Sequence, residues 1–309
     1  MCSNRLPNLI IAGVNKSGST SLFAYLSKHA EIETSLVKET TYFLPLRYGE
    51  ELSDIQAYLS CFPNDPRRTA YRMEATPGYF YGAARVARAI DQTLPGVRIV
   101  VMLREPVSRL VSFFQFQKSM LNLDQNMSLT GYLDICREMS PDDLLERENN
   151  PYFGLEGGFY DKYLPDWLEV FGDRLKIVFF DQLKTEPARL VAELCNWLDL
   201  SAADCLDYVG GAENRTVAYK NPFLHRLALT FNRSSERFLR RHPKVKDGLR
   251  QIYQAFNTQD ASLEMTAELE EELDGLYADA NRNTGKILIS AGYAGLPHWL
   301  MTPLSGSKL

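Results

Sequence analysis

The stretch that most constrains this chain is Asn8 to His29, NLIIAGVNKSGSTSLFAYLSKH. Leu9-Ile10-Ile11-Ala12-Gly13-Val14 is an apolar run of strand length, and Leu22, Phe23 and Leu26 then recur at helical spacing. The joint between them, Asn15-Lys16-Ser17-Gly18-Ser19-Thr20, is bracketed by Gly13 and Gly18, which let the backbone turn tightly and lie close to a ligand. Its amides converge on a helix N-terminus, where unpaired N–H groups and the helix dipole favour an anion. Lys16 adds a point charge, and Ser17, Ser19, Thr20 and Ser21 add hydroxyl donors. The stretch reads as a phosphate cradle, against the plainer alternative of a βα turn with a solvated lysine. It predicts an α/β fold: a central parallel sheet flanked by helices, with the cradle after the first strand.

Gly13 to Gly18 nearly satisfies the nucleoside-triphosphate loop G-x-x-x-x-G-K-[ST], but Ser19 stands where that loop carries lysine. The loop's own lysine comes two residues before Gly18. A lysine placed there suits another phosphate geometry, such as a 5′-phosphosulfate.

At 309 residues and 45% apolar content the chain can bury a substantial core. We read it as one domain over 1–309, with an acceptor-side insertion at about 122–158, a helical addition at about 230–285 and a flexible tail at 300–309. A net charge of −5 argues against nucleic acid or an anionic membrane as partner. There is no 18-residue apolar run and no signal-peptide core in Met1 to Pro7, so a soluble cytoplasmic protein is expected. Ser307-Lys308-Leu309 would be a peroxisomal address if the source has peroxisomes. The five cysteines are scattered without metal spacing and read as reduced thiols, with no metal site.

Beyond the loop, Glu31 to Phe43 returns toward the sheet and brings Glu39 beside the cradle, where a carboxylate could accept a proton. Tyr71 to Tyr81 reads as a short strand and a Thr76-Pro77-Gly78 turn. Arg85 to Leu94 is an amphipathic helix, and Val97 to Leu103 a strand buried on both faces. Arg104 sits at that strand's carboxyl end, where open α/β sheets bind ligands. Pro106 opens the next helix, and Ser112 two turns along can face the same crevice. Arginine plus hydroxyl makes a clamp for a second phosphate. An amphipathic helix over Phe159–Phe171, a strand over Leu175–Phe180 ending in Asp181, and helices over Thr185–Leu198 and around Leu269, Leu273, Leu276, Tyr277 and Ala280 complete the reading. The basic run Arg233 to Lys246 is a solvated helix or a phosphate-facing stripe.

These residues together resemble a known family. Lys16-Ser17-Gly18-Ser19-Thr20 is similar to the 5′-phosphosulfate loop of sulfotransferases that use 3′-phosphoadenosine 5′-phosphosulfate (PAPS), and Arg104 through Ser112 to their 3′-phosphate motif. Lys38-Glu39-Thr40-Thr41-Tyr42-Phe43 resembles the K-E-x-x-x-F segment of the heparan sulfate O-sulfotransferase branch, whose glutamate is the catalytic base. Glu74-Ala75-Thr76-Pro77-Gly78-Tyr79 resembles that branch's E-K-[ST]-P segment. The likeness runs in order over residues 8 to about 118, and more loosely over 157–200.

The resemblance implies sulfuryl transfer from PAPS to a hydroxyl or nitrogen, releasing 3′-phosphoadenosine 5′-phosphate (PAP), without metal. Glu39 and Lys16 would be catalytic. Lys16 to Ser21, Arg104 and Ser112 would hold the donor, and Lys38, Tyr42, Glu74 and Tyr79 the acceptor. Asn214, Arg215 and Lys220 could serve the 3′-phosphate by loose analogy. Ala75 stands where the glycan enzymes carry lysine, and their late K-G-R element and disulfide-closed hairpin are missing.

The 122–158 segment holds eight acidic residues against Arg137 and Arg147, which reads as a solvated face or as a cap suited to a neutral or cationic acceptor. We therefore expect a small natural product as acceptor, with a carbohydrate as the alternative. A magnesium-dependent kinase using Asp181 and a non-catalytic nucleotide-binding protein are the rival functions. The sequence leaves the oligomeric state open.

Overall fold

The computed structural model describes residues 5–63, 69–203 and 265–301, and the backbone of two short strands, β6 (Ala218–Tyr219) and β7 (Thr258–Gln259). Asn214, Arg215, Lys220, the basic run 233–246 and the C-terminal tripeptide lie outside the described residues.

Five strands form one all-parallel sheet in the order β2-β3-β1-β4-β5: β1 (Leu9–Gly13), β2 (Ile32–Thr34), β3 (Tyr71–Ala75), β4 (Arg98–Leu103) and β5 (Leu175–Phe179). Leu9–Gly13 are all buried, as a central strand covered on both faces requires. Alternation then sorts the side chains. Ile10, Ala12, Ile99 and Val101 pack on one face with α3 (Ala83–Thr93), α6 (Leu164–Phe171) and the end of α9 (Ala267–Ser290). Leu9, Ile11, Val100 and Met102 pack on the other with α1 (Ser19–Leu26) and α8 (Pro187–Trp197).

The chain leaves β1 toward β2 on one side and reaches β4 from β3 on the other. Right-handed crossovers in opposite directions must lie on opposite faces, so the β1 and β4 loops diverge at their carboxyl ends and leave a crevice. After β4, α4 (Pro106–Ser119) begins with Pro106 in its first turn, and the Glu105 carboxylate accepts from Val107 N at 2.7 Å and Ser108 N at 2.6 Å. That cap fixes the direction of the helix that carries Ser112.

Three sequence-based elements are corrected. The helix expected over 159–171 starts at Leu164, because Pro165 is tolerated only in a first turn and Tyr160–Lys162 form a 3-10 turn before it. Phe180 and Asp181 belong to a short helix, α7 (Phe180–Thr185), and α8 begins only at Pro187, which cannot continue α7. On α9 the buried stripe runs through Leu273, Tyr277, Ala280, Thr284 and Leu288, leaving Leu276 41% exposed. The 122–158 segment has the short helix expected of it, α5 (Leu129–Glu138), which buries Tyr132, Leu133 and Cys136 against α4 and α9.

Candidate active site

A cavity of about 710 Å³ opens at the carboxyl ends of β1, β3 and β4. Its wall includes Lys16, Gly18, Ser19, Thr20 and Ser21 from the first loop and helix, Lys38 and Glu39, and Arg104 with Ser112. Residues 16, 39, 104 and 112, far apart in sequence, thus share one space. Ser17 does not line it. Its hydroxyl donates to Val14 O at 2.6 Å and accepts from Val14 N at 3.2 Å, so it closes the turn from inside.

Gly18 caps α1 at φ 91°, and a Cβ there would lie 2.5 Å from Leu183 Cδ2, which accounts for glycine at this position. Lys16 also adopts a left-handed backbone, at φ 68°. Its ammonium lies 4.4 Å from the centre of the Phe116 ring. Burial first, then the positive charges of Arg104 and Lys38, lower its pKa to about 8, partly opposed by Glu39.

Arg104 ties the two loops together. Its Nη1 donates to Lys16 O at 3.0 Å, its guanidinium lies 4.5 Å from the centre of the Phe180 ring, and its carbonyl accepts from the Tyr160 hydroxyl at 2.6 Å. Nε is buried and without a partner among the described residues, a donor left over in a wall of cations. Burial also lowers the Arg104 pKa.

Glu39 sits at φ 65° and Thr41 at φ 58°, conformations that cost non-glycine residues energy and persist only where neighbours impose them. The imposing group is Glu74. Fully buried, its carboxylate accepts from Thr40 Oγ1 at 2.6 Å, Tyr58 OH at 2.8 Å, Thr76 Oγ1 at 2.8 Å and Tyr79 OH at 3.1 Å. Burial raises its pKa while these four donors pull the other way. Glu39 N donates to Ala75 O at 3.0 Å and Thr41 N to Thr76 Oγ1 at 3.3 Å, so the strained turn is anchored to β3 and its following loop. The Glu39 carboxylate itself is half-exposed and takes Lys38 Nζ at 2.6 Å.

The expected acceptor residues therefore divide. Lys38 lines the cavity; Glu74 and Tyr79 are sealed behind it and act as scaffold. Tyr42 stacks on Tyr58 with ring centroids 4.6 Å apart and donates to Ser53 O, also away from the wall. Asp181 accepts from Trp299 Nε1 at 3.3 Å and does not line the cavity. Sequence reasoning missed Arg47, Tyr48, Phe113, Phe116, Asn150 and Lys184, all on the wall. Only the helical spacing of Ser112 and Phe116 could have pointed to one of them.

Residues 6–209 match the family model described as a sulfotransferase domain. The chain is 30% identical over 210 residues to bifunctional heparan sulfate N-deacetylase/N-sulfotransferase 1 of Caenorhabditis briggsae, covering 64% of this chain and 23% of that protein. It is 25% identical over 204 residues to the human enzyme numbered 3 of the same name, covering 63% and 22%. The chain thus spans less than a quarter of these relatives' length. Among solved structures, a sulfotransferase from Alicyclobacillus acidocaldarius superposes with a TM-score of 0.66 at 21% identity, covering 96% of this chain and 99% of that one, a likeness of fold.

Proposed function

This chain belongs to the sulfotransferase family, and from that premise we propose that it moves a sulfuryl group from PAPS to a hydroxyl or nitrogen of an acceptor. The observation that carries the reading is the gathering of Lys16, Glu39, Arg104 and Ser112 on one cavity wall. The fit to a doubly anionic donor rests on that cationic wall and on the orphaned Arg104 Nε. When bound, the donor supplies an activated sulfur whose bond to a phosphate oxygen breaks as the acceptor's bond forms.

The chain's own groups then take these roles. Loop amides, Ser19, Thr20 and Ser21 hold the 5′ end, while Lys16 neutralises charge on the departing phosphate oxygen from a preorganised position. Arg104 and Ser112 hold the 3′-phosphate and so keep the reacting bond in line. Glu39 takes the acceptor's proton, and its anchored turn holds it there. Lys38 orients that carboxylate. As acceptor we propose a small molecule bearing a hydroxyl or amine. A carbohydrate is the second reading, favoured by the glycan named for the curated relatives.

Thermal unfolding with PAP, and separately with ATP and magnesium, tests the donor. PAP alone at a hundred times its Kd should stabilise by about 2.7 kcal/mol. A response to ATP with magnesium only would favour the kinase instead. Glu39→Gln should bind PAP within about twofold of wild type and lower sulfate transfer from labelled PAPS by about 10²–10⁴-fold. Undiminished transfer removes Glu39 as the base.

A further inference from the structure

Arg47 lies in the last turn of a 3-10 helix, Leu44–Tyr48, that follows the Glu39 loop. It lines the cavity yet is only 5% exposed. No carboxylate pairs with it among the described residues. Its guanidinium lies 3.9 Å from the centre of the Phe153 ring, with the Tyr48 and Tyr81 rings further off at 5.1 and 5.3 Å. Nη1 reaches Asn150 Oδ1 at 3.4 Å, a long contact, and Nη2 has no acceptor among the described residues. The Tyr48 hydroxyl donates to the same Asn150 oxygen at 3.2 Å.

A buried guanidinium is costly unless paired and hydrogen-bonded, and aromatic faces return only part of that cost. Of the wall's other cations, Lys16 and Arg104 are assigned to the donor, Lys38 has a carboxylate beside it, and Lys184 is exposed, so its charge stays hydrated. Arg109 offers a contrast. It too is buried without a carboxylate among the described residues, and its Nε and Nη1 lack partners there, but it lies off the cavity, gives Nη2 to Gly154 O and is ringed by tyrosines, so it is internal scaffold. Arg47 instead belongs to the wall of a space that a second substrate must enter, and its guanidinium keeps a buried, unspent donor there.

We propose that Arg47, with Tyr48 and Asn150, is an oxyanion subsite for the acceptor: the molecule that offers its hydroxyl or amine to Glu39 also carries a carboxylate or sulfate that docks on Arg47. The proposal rests on the sulfuryl-transfer reading of the cavity and narrows its acceptor class. It also reverses the expectation drawn from the acidic 122–158 segment. That segment gives the wall Asn150, while Asp142, Asp143, Glu146 and Glu148 are exposed and Glu156 pairs with Lys162. Arginine's planar fork suits a planar carboxylate or a sulfate face, which lysine could not hold in two places.

The test keeps PAP saturating, so that the donor's anion sites are filled, and follows the melting temperature as benzoate, methyl sulfate or neutral benzamide is added. Wild type should respond saturably to benzoate or methyl sulfate and not to benzamide, the stronger response identifying the anion. Arg47→Met, which keeps the stem and removes the buried charge, should retain the PAP response and lose the anion response by about tenfold or more in apparent affinity. Asn150→Asp places a carboxylate beside Nη1 and should melt no lower than wild type while losing the anion response. An absent response in wild type, or an equal one in Arg47→Met, overturns the subsite. Failure of PAP to stabilise either protein, with the benzoate response still dependent on Arg47, removes the donor reading and leaves the anion site standing.

Discussion

Lys16 carries the most informative charge in the cavity, because its protonation is poised. With a pKa near 8 in the ligand-free protein, the ammonium is mostly charged at pH 7 and is lost as pH rises past 8. An unfolded chain would hold that proton to about pH 10.4. The ligand-free fold therefore gains stability from this group as pH rises between those values, since the unfolded state binds the extra proton. Donor binding has the opposite sign. A phosphate beside Lys16 favours the charged form, so PAP should take up a proton above pH 8 and bind up to about tenfold more weakly per pH unit. Calorimetry at about pH 9 in two buffers of different ionisation heat measures the uptake. No uptake would place the PAP phosphates away from Lys16.

At the level of elements, legibility followed burial. Strands β1, β4 and β5 were readable because strands covered on both faces are near-continuous apolar runs, interrupted here only by the half-buried Arg98 and Lys176, and the places of the cradle and Arg104 were readable because strand ends fix where loops go. Proline positions were legible only in part: Pro106 and Pro187 marked helix first turns, whereas Pro165 cut a pattern whose apolar spacing ran through it. The roles of Glu74 and Tyr79 were misread as acceptor contacts for a different reason. Their motif shows that they matter but not on which side of the wall they stand, and β3 turns Glu74 inward to four donors. The left-handed turn at Glu39 and Thr41 was invisible, since non-glycine residues carry no mark of a backbone that a buried carboxylate imposes on them. Arg47 was missed because it follows the recognisable segment and owes its burial to Phe153 and Asn150, more than a hundred residues later.

Over the whole molecule, charge is distributed against its own sum. The chain carries −5, yet the cavity wall presents Lys16, Lys38, Arg47, Arg104 and Lys184 against Glu39 alone. A concave cationic site in an acidic body focuses its field into the cleft and draws small anions there, while the exterior repels extended polyanions. That field is screenable. The Debye length falls from about 30 Å at 0.01 M salt to about 3 Å at 1 M, shorter than the reach between the two ends of a bisphosphate donor. Raising sodium chloride across that range should weaken PAP by about tenfold or more, while adenosine, which has the same base and sugar but no phosphate, changes by less than about twofold. Equal salt dependence for the two would mean that the base and sugar, rather than the phosphates, hold the donor, and Lys16 and Arg104 would lose their assigned roles together.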